Sequence, residues 1–303
     1  MINLDNLNCK SYFSLKRIYM NKILVFHLFL GDDYKINPSL DIHKTCLKMY
    51  ANVFDEMRFT ITAKDLNDKE KIKWGMDWIM DISGTIPVKI SVRENHPLYE
   101  TKTFKDEILD NIDTMRDYVF FAHSKGAVRM DGKETYTKSN PESVCRWIVG
   151  MYYFSLNFMD EVIDRFSGHI RASEIFYGPF LTMYKDPKVS PMLRYNKHNC
   201  FYQGTFYWIN MAKLSNYIKQ GLLSIPEIDD RYWAEMLPGV LCGRELYGDG
   251  LASHKDVAIN DDFNLYVLKR EGWELLSRIF GEPDFMKISD EIYEKIFGGR
   301  KDA

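Results

Sequence analysis

Ile23-Leu24-Val25-Phe26-His27-Leu28-Phe29-Leu30, ILVFHLFL in one-letter code, decides the fold. A strand with one wet face would alternate apolar and polar residues, and this run does not. A short continuous apolar stretch reads as a strand covered on both sides, as in parallel sheets with helices on each face. The stretch also sets a chemical question, because a single imidazole, His27, interrupts it.

Working outward, Pro38-Ser39 opens a stretch with apolar positions at Ile42, Cys46, Leu47, Met49, Tyr50, Val53 and Phe54, the spacing of a helix laid on a sheet. Met57 to Ala63 predicts a second strand, 66–82 a helix, Val88 to Val92 a third strand, Thr103 to Met115 a helix, and Tyr118 to Ala122 a fourth strand. This alternation predicts an α/β fold, a Rossmann-like, mostly parallel sheet flanked by helices. Asn140 as a cap, Pro141 at the first helical position and Glu142 near the positive end of the dipole open a long amphipathic helix. Its stripe runs from Cys145 to Phe166, and the helix is expected to run unbroken for more than 20 residues, to Gly168. Beyond it the alternation lapses: Ser173 to Tyr184 and Asn199 to Trp208 read as extended, Ala212 to Gln220 and Arg231 to Gly243 as helical. A helix over 268–280 closes the fold, with a frayed tail from Gly298. We expect an extension over 1–19 and one domain over 20–303, with halves 20–130 and 131–303.

The 303 residues are 46% hydrophobic, enough for a sizeable core, and the net charge of -3 argues against nucleic acid as a partner. The five cysteines, Cys9, Cys46, Cys145, Cys200 and Cys242, are scattered and never spaced as CxxC, which argues against a disulfide framework or structural zinc and for a reducing, cytoplasmic setting. No run reaches the roughly 20 apolar residues of a membrane helix; peripheral attachment at the inner face of the membrane stays open. Aromatics make up 15% of the chain, in keeping with either a ring-rich core or stacking surfaces in a pocket.

Several enzyme classes drop out. Gly132-Lys133 is followed by Glu134, so there is no P-loop; Gly31 stands alone after Leu30, so the dinucleotide fingerprint fails. HExxH and the GxSxG elbow are also missing. What remains lies at the strand ends, since open parallel sheets bind ligands outside their carboxyl edge. His27, Thr60 and Thr62 mark the first two strands. The fourth ends in His123-Ser124-Lys125-Gly126, with Arg129 following. Lys125 could neutralise a phosphate, Gly126 would let backbone approach it, and His123 could ligate a metal or donate a hydrogen bond. An ordinary strand exit with a solvated lysine is the alternative. Two later stretches add to these residues. Phe201 to Asn210, FYQGTFYWIN, sets five rings close around Gln203-Gly204, and Asp229 to Gly239, DDRYWAEMLPG, spaces Arg231 and Glu235 four apart, as on one helical face.

Together the strand ending in H(S/T)KG, the long helix, the G-x-F-(Y/W)-W segment and the R-x-x-A-E segment resemble a family of bacterial and viral glycosyltransferase-like proteins from polysaccharide gene clusters. The family strings run like YLHTKG, HFSGNFWWANSxYI and R..AEFWI. The matching positions are Phe121 to Gly126, Tyr202 to Ile218 and Arg231 to Glu235, within a resemblance over roughly residues 20–240. Departures are Gln203 before the glycine, Thr205 for Asn, Tyr207 for the first Trp, and Met236-Leu237 for an aromatic pair.

The resemblance implies a GT-A-like fold and a hexosyltransferase-type enzyme that moves a sugar from a nucleotide-sugar donor to a glycan or lipid-linked acceptor. It implies donor binding by His27, Thr60, Thr62, His123, Ser124, Lys125, Gly126 and Arg129, and acceptor binding by Gln203, Gly204, Tyr207, Trp208 and Arg231. Catalysis would fall to Glu235 as base, with Asp230 or Asp229 as alternatives, and to Lys125 in the place where GT-A enzymes carry a metal-binding DxD. With a lysine there, fixed cations are expected to stabilise the leaving diphosphate. Mg or Mn recruited by His123, Asp131, Asp249 or His254 stays open. The missing DxD leaves a second reading, a catalytically silent GT-A-like carbohydrate-binding or scaffold protein.

Overall fold

The computed structural model of the chain describes residues 20–124, 141–167, 175–178, 181–183, 200–202, 204–242 and 270–298. The apolar run forms β1 (Lys22–Leu30), buried over nearly its whole length. Asn37 accepts the Ser39 N–H and Pro38 presets the first turn of α1 (Pro38–Tyr50), which leads by a short 3-10 turn to β2 (Glu56–Ala63). Asp68 caps α2 (Lys69–Ser83), and β3 (Val88–Glu94) forms a half-exposed edge. Then come α3 (Glu100–Glu107), β4 (Tyr118–His123), α4 (Pro141–Leu156) and α5 (Met159–Ser167). The second half adds β5 (Phe176–Tyr177), β6 (Leu181–Met183), β7 (Cys200–Tyr202), β8 (Tyr207–Asn210), α6 (Met211–Lys219), α7 (Trp233–Cys242), α8 (Arg270–Phe280) and α9 (Asp284–Phe297).

Six strands join in the order β3-β2-β1-β4-β8-β5, with β1, β2, β3 and β4 mutually parallel and β8 antiparallel to its neighbours β4 and β5. β6 and β7 pair separately as an antiparallel ribbon. The chain winds from β1 out through β2 to β3, then returns to place β4 on the other side of β1. The sheet therefore has its topological switch between β1 and β4, and open sheets of this kind bind ligands outside the carboxyl ends of the strands at such a point.

Alternation along the strands divides the core between two faces. Leu24, Phe26, Leu28, Phe120 and Trp208 pack under α1, α2, α4 and α9. Ile23, Val25, Val119, Phe121, Tyr207 and Ile209 pack under α3, α6 and α7. No helix among the described residues is long and apolar enough to cross a membrane.

Four expectations are corrected. The helix expected over 103–115 begins earlier, at Glu100, and gives way to a 3-10 turn at Leu109–Asn111. The long helix breaks after Leu156, where the Trp208 indole donates to Ser155 O at 2.9 Å and takes a carbonyl that a continuous helix would use. Arg231 lies in a turn ahead of α7, so Arg231 and Glu235 do not form an i, i+4 helical pair. After Phe280 the chain forms another helix, α9, whose Asp290 takes a hydrogen bond of 2.9 Å from the buried Arg146 of α4.

Candidate functional site

Along the face covered by α3, the strands change character toward their carboxyl ends. Ile23 and Val25 give way to His27, Val119 and Phe121 give way to His123, and the neighbouring strand supplies Thr60 and Thr62. His27 and His123 are register partners, side by side across the switch point. β1 runs three residues further than β4, and Ser124 bridges the overhang: its N–H donates to His27 O and its hydroxyl accepts from Phe29 N–H, each at 2.9 Å. The chain leaves the sheet there, directly before Lys125.

His27 is enclosed. Its Nδ1 lies 2.9 Å from Thr103 Oγ1, and its Nε2 lies 3.4 Å from Thr62 Oγ1, which also lies 3.4 Å from Leu28 O. If Thr62 donates to Leu28 O, Nε2 carries the ring proton and Nδ1 accepts from Thr103. Burial lowers its pKa to about 4, against a raising influence of Glu100, so the ring is neutral at pH 7. His27 is a structural strut and supplies no positive charge to a donor phosphate. Thr60 lies deeper and bonds to Ser91 Oγ at 2.9 Å, so it sits apart from the His27 network.

His123 faces the second half of the chain. Its Nε2 lies 3.0 Å from Gly204 O, which makes Nε2 the donor, and its Nδ1 lies 3.9 Å from Glu100 Oε1. Gly204 has φ of 89°, and a Cβ there would sit 2.4 Å from Met151 Sδ, so glycine is required on two counts. Thr205 follows at φ of 61°, its hydroxyl buried with no hydrogen-bond partner. Two consecutive left-handed residues thus form the turn that His123 fixes.

Tyr207 and Trp208 are fully buried, which corrects the expectation that they offer flat faces to a sugar. Their polar tips act inside the core. Pro238 stands within α7 and has no N–H for the carbonyl four residues earlier, Ala234 O. The Tyr207 hydroxyl donates to that carbonyl instead. Trp208, pointing to the other face, satisfies Ser155 O.

The start of α7 is held against α3. Thr101 Oγ1 donates to Arg231 O at 2.6 Å and accepts from Ala234 N at 3.1 Å. Asp230 Oδ1 accepts from Tyr232 N and Asp229 Oδ1 from the Trp233 indole, each at 2.9 Å. Glu235 is buried, beside the Tyr207 phenol whose pKa it helps to raise after burial, the main cause. The Arg231 guanidinium is exposed and lies over the rings of Tyr232 and Tyr99.

The first turn of α3 is therefore the hub that the sequence reading missed. Glu100 meets His123, Thr101 meets Arg231 and Ala234, and Thr103 meets His27. The available signal was His96-Pro97 ahead of an acidic, threonine-rich start, the pattern of a helix opening. Lys125, Gly126, Arg129, Asp131, Gln203, Asp249 and His254 lie outside the described residues. Among the described residues no group of three His, Cys, Asp or Glu side chains could hold a metal ion. His123 has its Nε2 on the Gly204 carbonyl and its Nδ1 turned to Glu100. No family model matches the sequence, and no curated protein matches it.

Proposed function

We propose that the chain is a GT-A-like glycosyltransferase that moves a sugar from a nucleotide-sugar donor to a glycan or lipid-linked acceptor. One observation supports the reading: described parts of the three segments that bear the resemblance, far apart in sequence, are joined to one another through His123, Gly204, Tyr207 and the start of α7. His123 is bonded to Gly204, Tyr207 to Ala234, and α3 joins His123 to Arg231. In the reaction the acceptor hydroxyl oxygen attacks the anomeric carbon, the bond from that carbon to the phosphate oxygen breaks, and nucleoside diphosphate leaves. Glu235 takes the hydroxyl proton, with Asp230 as the alternative base, and Lys125 stabilises the charge that grows on the diphosphate. No step is routed through a metal.

The test is isothermal titration against UDP-, GDP-, CMP- and dTDP-sugars, with and without Mn. We expect one nucleotide class to bind and Lys125→Ala to weaken it; failure of every donor contradicts the reading. Glycan binding without release of nucleoside diphosphate would instead favour a silent scaffold.

A further inference from the structure

We propose that Arg231, stacked on Tyr99 and Tyr232, is a preformed receptor for a phosphate-class anion and grips the donor diphosphate rather than the acceptor. The identity of the anion rests on the glycosyl-transfer reading; the receptor itself rests on geometry. The guanidinium carbon lies 4.6 Å from the Tyr232 ring centre and 5.3 Å from that of Tyr99. A guanidinium over ring faces is held by their quadrupoles and still has N–H groups to donate to a ligand. Among the described residues, that guanidinium forms no ion pair and donates no hydrogen bond, whereas the carboxylates around it are engaged. Asp230 accepts from Tyr232 N, Asp229 accepts from the Trp233 indole, and Glu100 faces His123.

Both ends of the stack are fixed. The Arg231 carbonyl is tied to Thr101, and Tyr99 takes the left-handed region at φ of 46°, unusual for a residue with a side chain, with its N–H bonded to His96 O at 2.8 Å. A planar fork held in place matches two phosphate oxygens with little further loss of side-chain freedom. Tyr99 directly precedes Glu100, the residue that faces His123, so the stack stands on the same rim as the strand end leading into Lys125. The positive end of the α3 dipole lies there as well.

The experiment is isothermal titration of the full chain with inorganic pyrophosphate, comparing the parent chain with Arg231→Gln, Arg231→Lys and Tyr99→Leu, each checked for an unchanged melting profile. We expect binding by the parent, about 10- to 100-fold weaker binding by Arg231→Gln, and intermediate losses in Arg231→Lys, which keeps the charge without the fork, and in Tyr99→Leu. No binding by the parent, or equal binding by Arg231→Gln, overturns the receptor. A parallel assay of nucleoside diphosphate release separates the two readings. Arg231-dependent pyrophosphate binding without release keeps the receptor and removes glycosyl transfer. Release by Arg231→Gln with unchanged kcat and donor KM keeps transfer and removes the receptor.

Discussion

At the scale of single residues, several polar side chains that looked like ligand contacts serve the fold from within. His27 is neutral because burial depresses its pKa to about 4 from 6.5. The unfolded chain binds this proton more readily than the folded one, so the contribution is complete above about pH 6.5 and is lost as pH falls toward 4. We expect stability to drop over that window by on the order of 3 kcal/mol from this group, measured by urea unfolding, and His27→Gln to flatten the slope. The Tyr207 hydroxyl has an equally specific task, supplying the donor that Pro238 denies Ala234 O. Tyr207→Phe should cost about 1–3 kcal/mol. Pro238→Ala in that background restores an N–H and should recover part of the loss; simple additivity of the two changes would count against this account. None of this was legible in the residues themselves. A tyrosine and a tryptophan in a ring-rich segment read equally well as platform or core, and only the partner carbonyls distinguish the two.

At the scale of elements, the site depends on how the first turn of α3 and the turn before β8 are held. Thr101→Val keeps the shape but removes both bonds to the start of α7. We expect a loss of about 1–3 kcal/mol and faster amide exchange at Ala234, with the exchange of β1 unchanged. Gly204→Ala meets both a left-handed backbone and the Met151 sulfur, so it should destabilise by more than 1 kcal/mol; a neutral result in thermal melts would mean that the turn is not held as described. The elements themselves were partly legible. Buried parallel strands announce themselves as continuous apolar runs, and Pro38-Ser39 marks the start of α1, whereas the Asn37 and Asp68 caps emerge only from the structure. The break after Leu156 and the short β8 were not legible as such, because one follows from a distant indole and the other is a four-residue strand placed by its neighbours. α9 carries Phe285, Ser289 and Ile292 at helical spacing, a signal present in the sequence but passed over.

At the scale of the whole molecule, β1 sets the sheet, the strand order reverses between β1 and β4, and distant segments meet near the end of β4. The α/β class was readable from the alternation in the first half. The convergence was not, because it is made by long-range bonds such as His123 to Gly204 and Thr101 to Ala234. Its strand-end residues His123 and Ser124 stood out as a polar end to an apolar strand, but their bonds to Gly204 and across β1 could not be read from the sequence. The central claim is that these segments form one ligand site. It is tested most directly by a crystal structure of the chain soaked with the nucleotide sugar that binds best. The expected result is density for the diphosphate beside Ser124 and Arg231, at the carboxyl ends of β1 and β4. A ligand seated at the amino edge of the sheet, or in the groove lined by Lys44, Lys48 and Lys295, would contradict it.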